Sequence, residues 1–193
     1  RRDIDGYIMG TLFVDKLDPQ SGTSLEIGSS GDTITIPSGC TITNNGTQTG
    51  FGGDNKPAFQ AHGNATQSVS SDSLTKLQFN TESFDLGSCY DHSTNYRFTP
   101  NVAGKYFIYL MGQWSSGSDW NGNRFEIHKN GSVVAGTQGR NEYYNTMYVT
   151  TVIDINGSSD YVEAFARQDS GGAVNAALDD STRTRFGGYK LIT

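Results

Sequence analysis

Phe98-Thr99-Pro100 and, after a short Asn101-Val102-Ala103 turn, Gly104-Lys105-Tyr106-Phe107-Ile108-Tyr109-Leu110-Met111-Gly112-Gln113-Trp114 are the residues on which the fold is read. The second run is long and rich in aromatic and branched residues, and Pro and Gly bracket the turn before it, so strands are predicted over 95–99 and 104–114. Reading outward, further strands are predicted over 57–61, 74–80, 123–129, 132–137, 146–155, 159–168 and 184–192. No apolar stripe at i, i+3, i+4, i+7 persists for three turns anywhere, which removes helices. The chain of 193 residues holds 24 glycines and only four prolines, with Thr, Ser and Asn crowding the segments between apolar runs. These features predict an all-β protein. Asn130-Gly131 and Asn156-Gly157 are short-hairpin signals, because such turns demand positive φ.

Upstream of residue 57 the character changes twice. Residues 1–22 form a lead-in whose Tyr7, Ile8, Leu12, Phe13 and Val14 are too few to bury themselves; Asp18-Pro19-Gln20-Ser21-Gly22 then breaks the chain. Such a lead-in is expected to pack on sister chains or on a larger assembly. Residues 23–56 hold a β-shaft and a Gly-rich hinge at 50–55. Leu25, Ile27, Ile34, Ile36 and Ile42 alternate with polar residues in two- to four-residue runs separated by tight turns. Runs so short are unstable as a free sheet. Three copies wound side by side would bury the isoleucine row; the competing reading is a flexible Gly/Ser/Thr linker.

The order of residues in 57–193 resembles the globular domain of the C1q/TNF-like superfamily. Pro57-Ala58-Phe59-Gln60-Ala61 is similar to that family's first strand. Phe79-Asn80 and Tyr90-Asp91 fall before its second long strand, Phe98-Thr99-Pro100 with Gly104-Lys105-Tyr106-Phe107 is similar to its most recognisable core, Lys129-Asn130-Gly131 to a turn, and Phe186-Gly187-Gly188-Tyr189-Lys190-Leu191-Ile192 to its closing strand. The resemblance implies a ten-stranded jelly-roll sandwich that forms a homotrimer through flat, aromatic-rich faces. The secreted members carry a collagen stalk; this chain has no Gly-X-Y triplets, and its β-shaft takes that place. Lead-in, Ile-Thr shaft and C1q-like head together resemble bacteriophage fibre and tail-adhesin proteins.

That resemblance implies a viral structural protein, docked on other virion proteins through residues 1–22 and exposed on the virion, for receptor binding and host attachment. Counting alternate strand directions gathers the connections 62–73, 115–122, 138–145 and 169–183 at one end of the head, where long loops on a rigid scaffold carry binding groups. Trp120, Tyr143 and Tyr144 offer flat faces for a host-surface glycan or protein, and Asp119, Asn121, Arg140 and Glu142 directional hydrogen bonds. Asn123, Asp169, Asp179 and Asp180 are further polar candidates, and Trp114, at a strand end, reads as core before ligand platform. The alternatives are a secreted C1q-like ligand, a decorative capsid fibre without a receptor, and a polysaccharide depolymerase.

The net charge of −6 and pI of about 4.9 oppose nucleic-acid binding, which needs clustered Lys and Arg. No run of about 18 apolar residues is present for membrane insertion. Three scattered histidines and two distant cysteines give no zinc spacing. Cys40 and Cys89 read as small buried hydrophobes rather than a disulfide. No cofactor is expected, although Asp179-Asp180 from three chains would suit Ca²⁺. No G-x-S-x-G, H-E-x-x-H or P-loop occurs, and no carboxyl pair is marked for glycoside cleavage, so the chain is not read as an enzyme.

Overall fold

The computed structural model describes residues 15–46, 55–115, 122–139 and 146–192. The chain divides into two compact units, Arg1–Thr49 and Gly50–Thr193. The second contains β1 (Ala58–His62), β2 (Gln67–Val69), β3 (Thr75–Lys76), β4 (Thr81–Leu86), β5 (Tyr90–Asp91), β6 (Arg97–Phe98) and β7 (Gly104–Gln113). There follow β8 (Asn123–Lys129), β9 (Ser132–Gly139), β10 (Thr146–Ile155), β11 (Val162–Arg167), β12 (Val174–Ala176) and β13 (Arg185–Lys190). No helix occurs among the described residues.

Two antiparallel sheets face each other. One runs β10-β7-β13-β1-β4; the other runs β5-β6-β11-β8-β9, with β3 also paired to β11. This is the all-β jelly-roll sandwich expected from the sequence. The strands predicted at 104–114, 123–129 and 146–155 are present to within a residue. β2, β4, β5 and β12 are additions to the predicted set, being short or weakly patterned, and the run 74–80 contributes only β3 as a paired strand. Beyond β3, Leu77 and Phe79 still belong to the core and are fully buried.

Alternation explains the core. Strand β7 buries Tyr106, Ile108 and Leu110 and turns Phe107, Tyr109 and Met111 outward. The residues that carried the family resemblance converge inside: Phe59 stacks on Tyr90 at 4.7 Å and on Phe98 at 4.4 Å, and meets Phe186 edge-on at 5.0 Å. Phe98 in turn meets Tyr106 edge-on at 5.9 Å. Each such ring removed from water contributes about 1.5–3 kcal/mol, with an added preference for these offset geometries.

One end of the sandwich holds the tight turns. Asn130 and Gly131 take φ of 51° and 80° and close the β8–β9 hairpin as expected. Asn156-Gly157 is a correction: β10 and β11 lie in different sheets, so the segment is a crossing loop and not a hairpin. Its Asn156 Oδ1 accepts from the N–H groups of Ser158, Ser159 and Asp160. Cys89 is buried and free, whereas Cys40 is exposed and free, against the expectation that both would be buried.

In the first unit, residues 15–46 contain no strand, so the short β runs expected there are absent from the single chain. Turns close between Ser29 and Asp32 (2.9 Å) and between Pro37 and Cys40 (3.2 Å), with Gly28, Gly31 and Gly39 at positive φ. The apolar row is uncovered: Leu25 is 43% exposed, Ile27 and Ile34 60%, Ile36 49% and Ile42 56%.

Candidate functional site

Two surfaces of the second unit stand out, and each follows from strand register. The outer face of the five-stranded sheet carries the side chains that β7 and β13 turn away from the core. Register lines up Val152, Phe107, Tyr189, Ala58 and Leu86 in one row, and Thr150, Tyr109, Gly187, Gln60 and Phe84 in the next. Phe107 and Tyr189 rings lie 5.6 Å apart. Tyr148, Val152, Phe84 and Leu86 are between 43% and 63% exposed.

Glycine shapes this face. A Cβ at Gly187 would collide with the Tyr109 hydroxyl and ring, so only glycine lets that ring lie across β13. Partial burial raises the Tyr109 hydroxyl above its ordinary pKa. The apolar part of the face centres on Phe107, Tyr109, Tyr189, Val152, Phe84 and Leu86, and exposed apolar patches of this kind are characteristic of association surfaces in general.

The second surface is the loop end. Gly63 N donates to Leu178 O at 2.9 Å, Ser115 N donates to Asn175 O at 2.8 Å, and Ser71 bridges Gln168. β12 on β2 closes a small third sheet there. The described parts of the connections 62–73, 115–122 and 169–183 therefore meet at one end, opposite the one where the chain enters the head at Pro57. Gln168 is fully buried and organises this end, donating to Val69 O at 2.9 Å and Gly172 O at 2.7 Å.

Asp119, Trp120, Asn121, Arg140, Glu142, Tyr143 and Tyr144 lie outside the described residues. Of the remaining candidates, Trp114 is core: it is 1% exposed and packs on Phe125 at 5.2 Å. Asn123 is also interior, fully buried, and neither end of its amide has a hydrogen-bond partner. Asp180 shapes its own loop, accepting from Thr182 Oγ1 at 2.6 Å and Thr182 N at 3.0 Å; these bonds hold its carboxyl below the usual range. Asp169 is exposed, with its carboxylate lying over Gly122. Among the described residues no group of three His, Cys, Asp or Glu side chains is placed to hold a metal.

The outer face of the six-stranded sheet differs in kind. Lys76 Nζ reaches Glu163 at 2.5 Å, and His128 Nε2 lies 2.8 Å from Glu126. The His128 ring packs on Phe165 at 4.3 Å, and the Arg97 guanidinium covers Tyr161 at 4.6 Å. A polar hollow of about 230 Å³ is lined by Ser88, Cys89, Asp91, Asn95 and Arg97. Its groups are engaged: the Asp91 carboxylate accepts the N–H groups of Thr94, Ser93 and Asn95 and is held well below the carboxylate range, while burial raises the Cys89 thiol. No nucleophile or paired acid is poised there.

No family model and no curated protein matches the chain. Solved structures do. Murine APRIL at pH 5.0 superposes with a TM-score of 0.52 at 12% identity, covering 69% of this chain and 98% of that one. Murine APRIL at pH 8.0 gives 0.51 at 13% identity over the same shares. The globular domain of zebrafish complement 1qA protein gives 0.44 at 15% identity, over 70% of this chain and 98% of that one. The likeness to APRIL is one of fold.

Proposed function

We propose that the chain is a homotrimeric attachment protein of the virion-fibre or tail-adhesin kind. Its head would associate through the outer face of the five-stranded sheet and bind a host-surface glycan at its loop end. The observation that carries the reading is the group of outward rings and aliphatic side chains around Phe107 and Tyr189, which in one chain still faces water. The uncovered isoleucine row of residues 25–42 supports the same conclusion, since it has no cover among the described residues of its own unit. Three copies give three equivalent weak sites, and linkage converts them into avidity without a strong single contact.

The test is the mass of the purified full chain in solution, by light scattering behind a sizing column. The expected value is three times the 20.9 kDa of one chain. A stable monomer at micromolar concentration removes the reading. Adsorption of the purified protein to candidate host cells then separates an adhesin from a decorative fibre of the same fold.

A further inference from the structure

Strand register brings two arginines together at the loop end of the six-stranded sheet. Arg167 of β11 stands directly opposite Arg124 of β8, and Arg124 directly opposite Gln138 of β9. Their neighbours Phe125 and Ala166 are buried, so Arg124, Arg167 and Gln138 share the outer face. Like charges in direct register oppose folding unless something compensates them. Arg167 is compensated: its guanidinium meets the Asp72 carboxylate at 2.9 Å. Arg124 is not. It makes no ion pair among the described residues, and its buried Nε has no hydrogen-bond partner.

The acidic groups around it are placed elsewhere. Glu126, one row toward the turns, is engaged by His128 at 2.8 Å. Asp169, one row toward the loops, lies across Gly122, where a Cβ would collide with its carboxylate. The Nε itself is buried, but the terminal Nη groups of this half-buried guanidinium also make no hydrogen bond or ion pair among the described residues, and a carboxylate matches their fork with two parallel bonds. Asp169 is an acceptor only, so it would repel a second anion and take hydroxyl donors instead.

We infer that Arg124, flanked by Gln138 and Arg167, is the carboxylate-binding subsite for an acidic sugar whose ring hydroxyls donate to Asp169. The inference rests on the glycan-binding reading above and names its substrate class: a uronic-acid glycan. Chloride or sulfate alone would satisfy Arg124 but leave Asp169 without a role.

The test titrates the full chain with oligomers of galacturonate, guluronate and glucuronate, each beside its methyl ester, by calorimetry or ligand-observed NMR. Esterification removes the charge and keeps the ring. One of the acids is expected to bind at least about tenfold more tightly than its ester, to weaken as salt rises, and to lose at least about tenfold in Arg124→Gln. Arg124→Lys, which keeps charge but not the fork, is expected to fall between. Failure of every acid to bind at millimolar concentration, equal binding of acid and ester, or unchanged affinity in a folded Arg124→Gln overturns the assignment. Equal binding of acid and ester leaves the glycan reading standing and removes only the acidic-sugar assignment, whereas absence of binding by acid and ester alike removes both, and the mass measurement reports separately on the trimer.

Discussion

The two outer faces of the sandwich share one core yet solve contact with water in opposite ways. On the six-stranded sheet, long polar side chains find partners on their own face: Lys76 with Glu163 on the next strand, His128 with Glu126 along β8, and Arg97 over Tyr161. On the five-stranded sheet the corresponding positions are Phe107, Tyr109, Met111, Tyr189 and Val152, beside an exposed Lys105–Asp154 contact at 2.8 Å. A sheet face whose long polar side chains largely meet one another is suited to water, whereas one tiled with rings leaves apolar surface exposed, as the proposed association requires. Composition averaged over the chain hides this contrast; register reveals it.

The contrast breaks most sharply at Phe107 and Tyr189. Replacing both with Asp places two charges where the rings now touch, and the expected outcome is loss of the trimer with the head still folded. Sedimentation would show the monomer mass, and circular dichroism an unchanged β signature. A double variant that remains trimeric would move the association surface elsewhere.

On the paired face the effect should be on stability and not on association. Glu163 is 5% exposed, and Lys76, about a third exposed, also donates to Asn95 O at 3.3 Å. Glu163→Gln removes the charge and leaves Lys76 only neutral acceptors, the amide oxygen and Asn95 O. Solvent reaching Lys76 screens part of the loss, so the expected cost is about 1–2 kcal/mol. Denaturant melts should read that decrease while the mass stays that of wild type. A change in mass would show that this face also contributes to assembly.

Much of the fold is legible in the sequence because its decisive residues sit at inward positions of long, strongly patterned strands. Phe59, Phe98, Tyr106 and Phe186, which carry the family resemblance, touch in one ring stack. β4 is not legible: Thr81-Glu82-Ser83-Phe84-Asp85-Leu86 reads as loop because its apolar residues face outward on an edge strand. The asparagine rule fails at Asn156 for a related reason, since the turn residue reports local backbone shape and not which sheet the next strand joins. The uncovered isoleucine row is legible as a need for partners, although turns alone do not say what meets it.

The candidate site is less legible. Sequence reasoning favours aromatic and polar residues of the long loops; it reads Trp114 rightly as core, whereas Asn123 belongs to the interior against expectation. Arg124 and Arg167 give no signal because nothing local joins them. Only the β8–β11 register puts them side by side, and that register is a property of the whole sandwich.

The smallest effect concerns the clasp between the sheets at the turn end. Asp160 accepts from Asn130 Nδ2 at 2.7 Å and Asn156 N at 2.9 Å, and Lys129 Nζ lies 2.9 Å away, so one carboxylate ties the β8–β9 hairpin to the crossing loop. The Asn130 amide first, then Lys129, depress its pKa from 3.8 to about 2. A depressed folded-state pKa means that the contribution is complete above the unfolded value of about 4 and disappears as the pH falls through about 2. Asp160→Asn should therefore melt below wild type at neutral pH, with the gap closing between about pH 4 and about pH 2. Other carboxylates titrate in that window, but they do so equally in both proteins and cancel in the difference. A gap that stays constant throughout that acid range would mean that the shape of the side chain, and not its charge, holds the clasp.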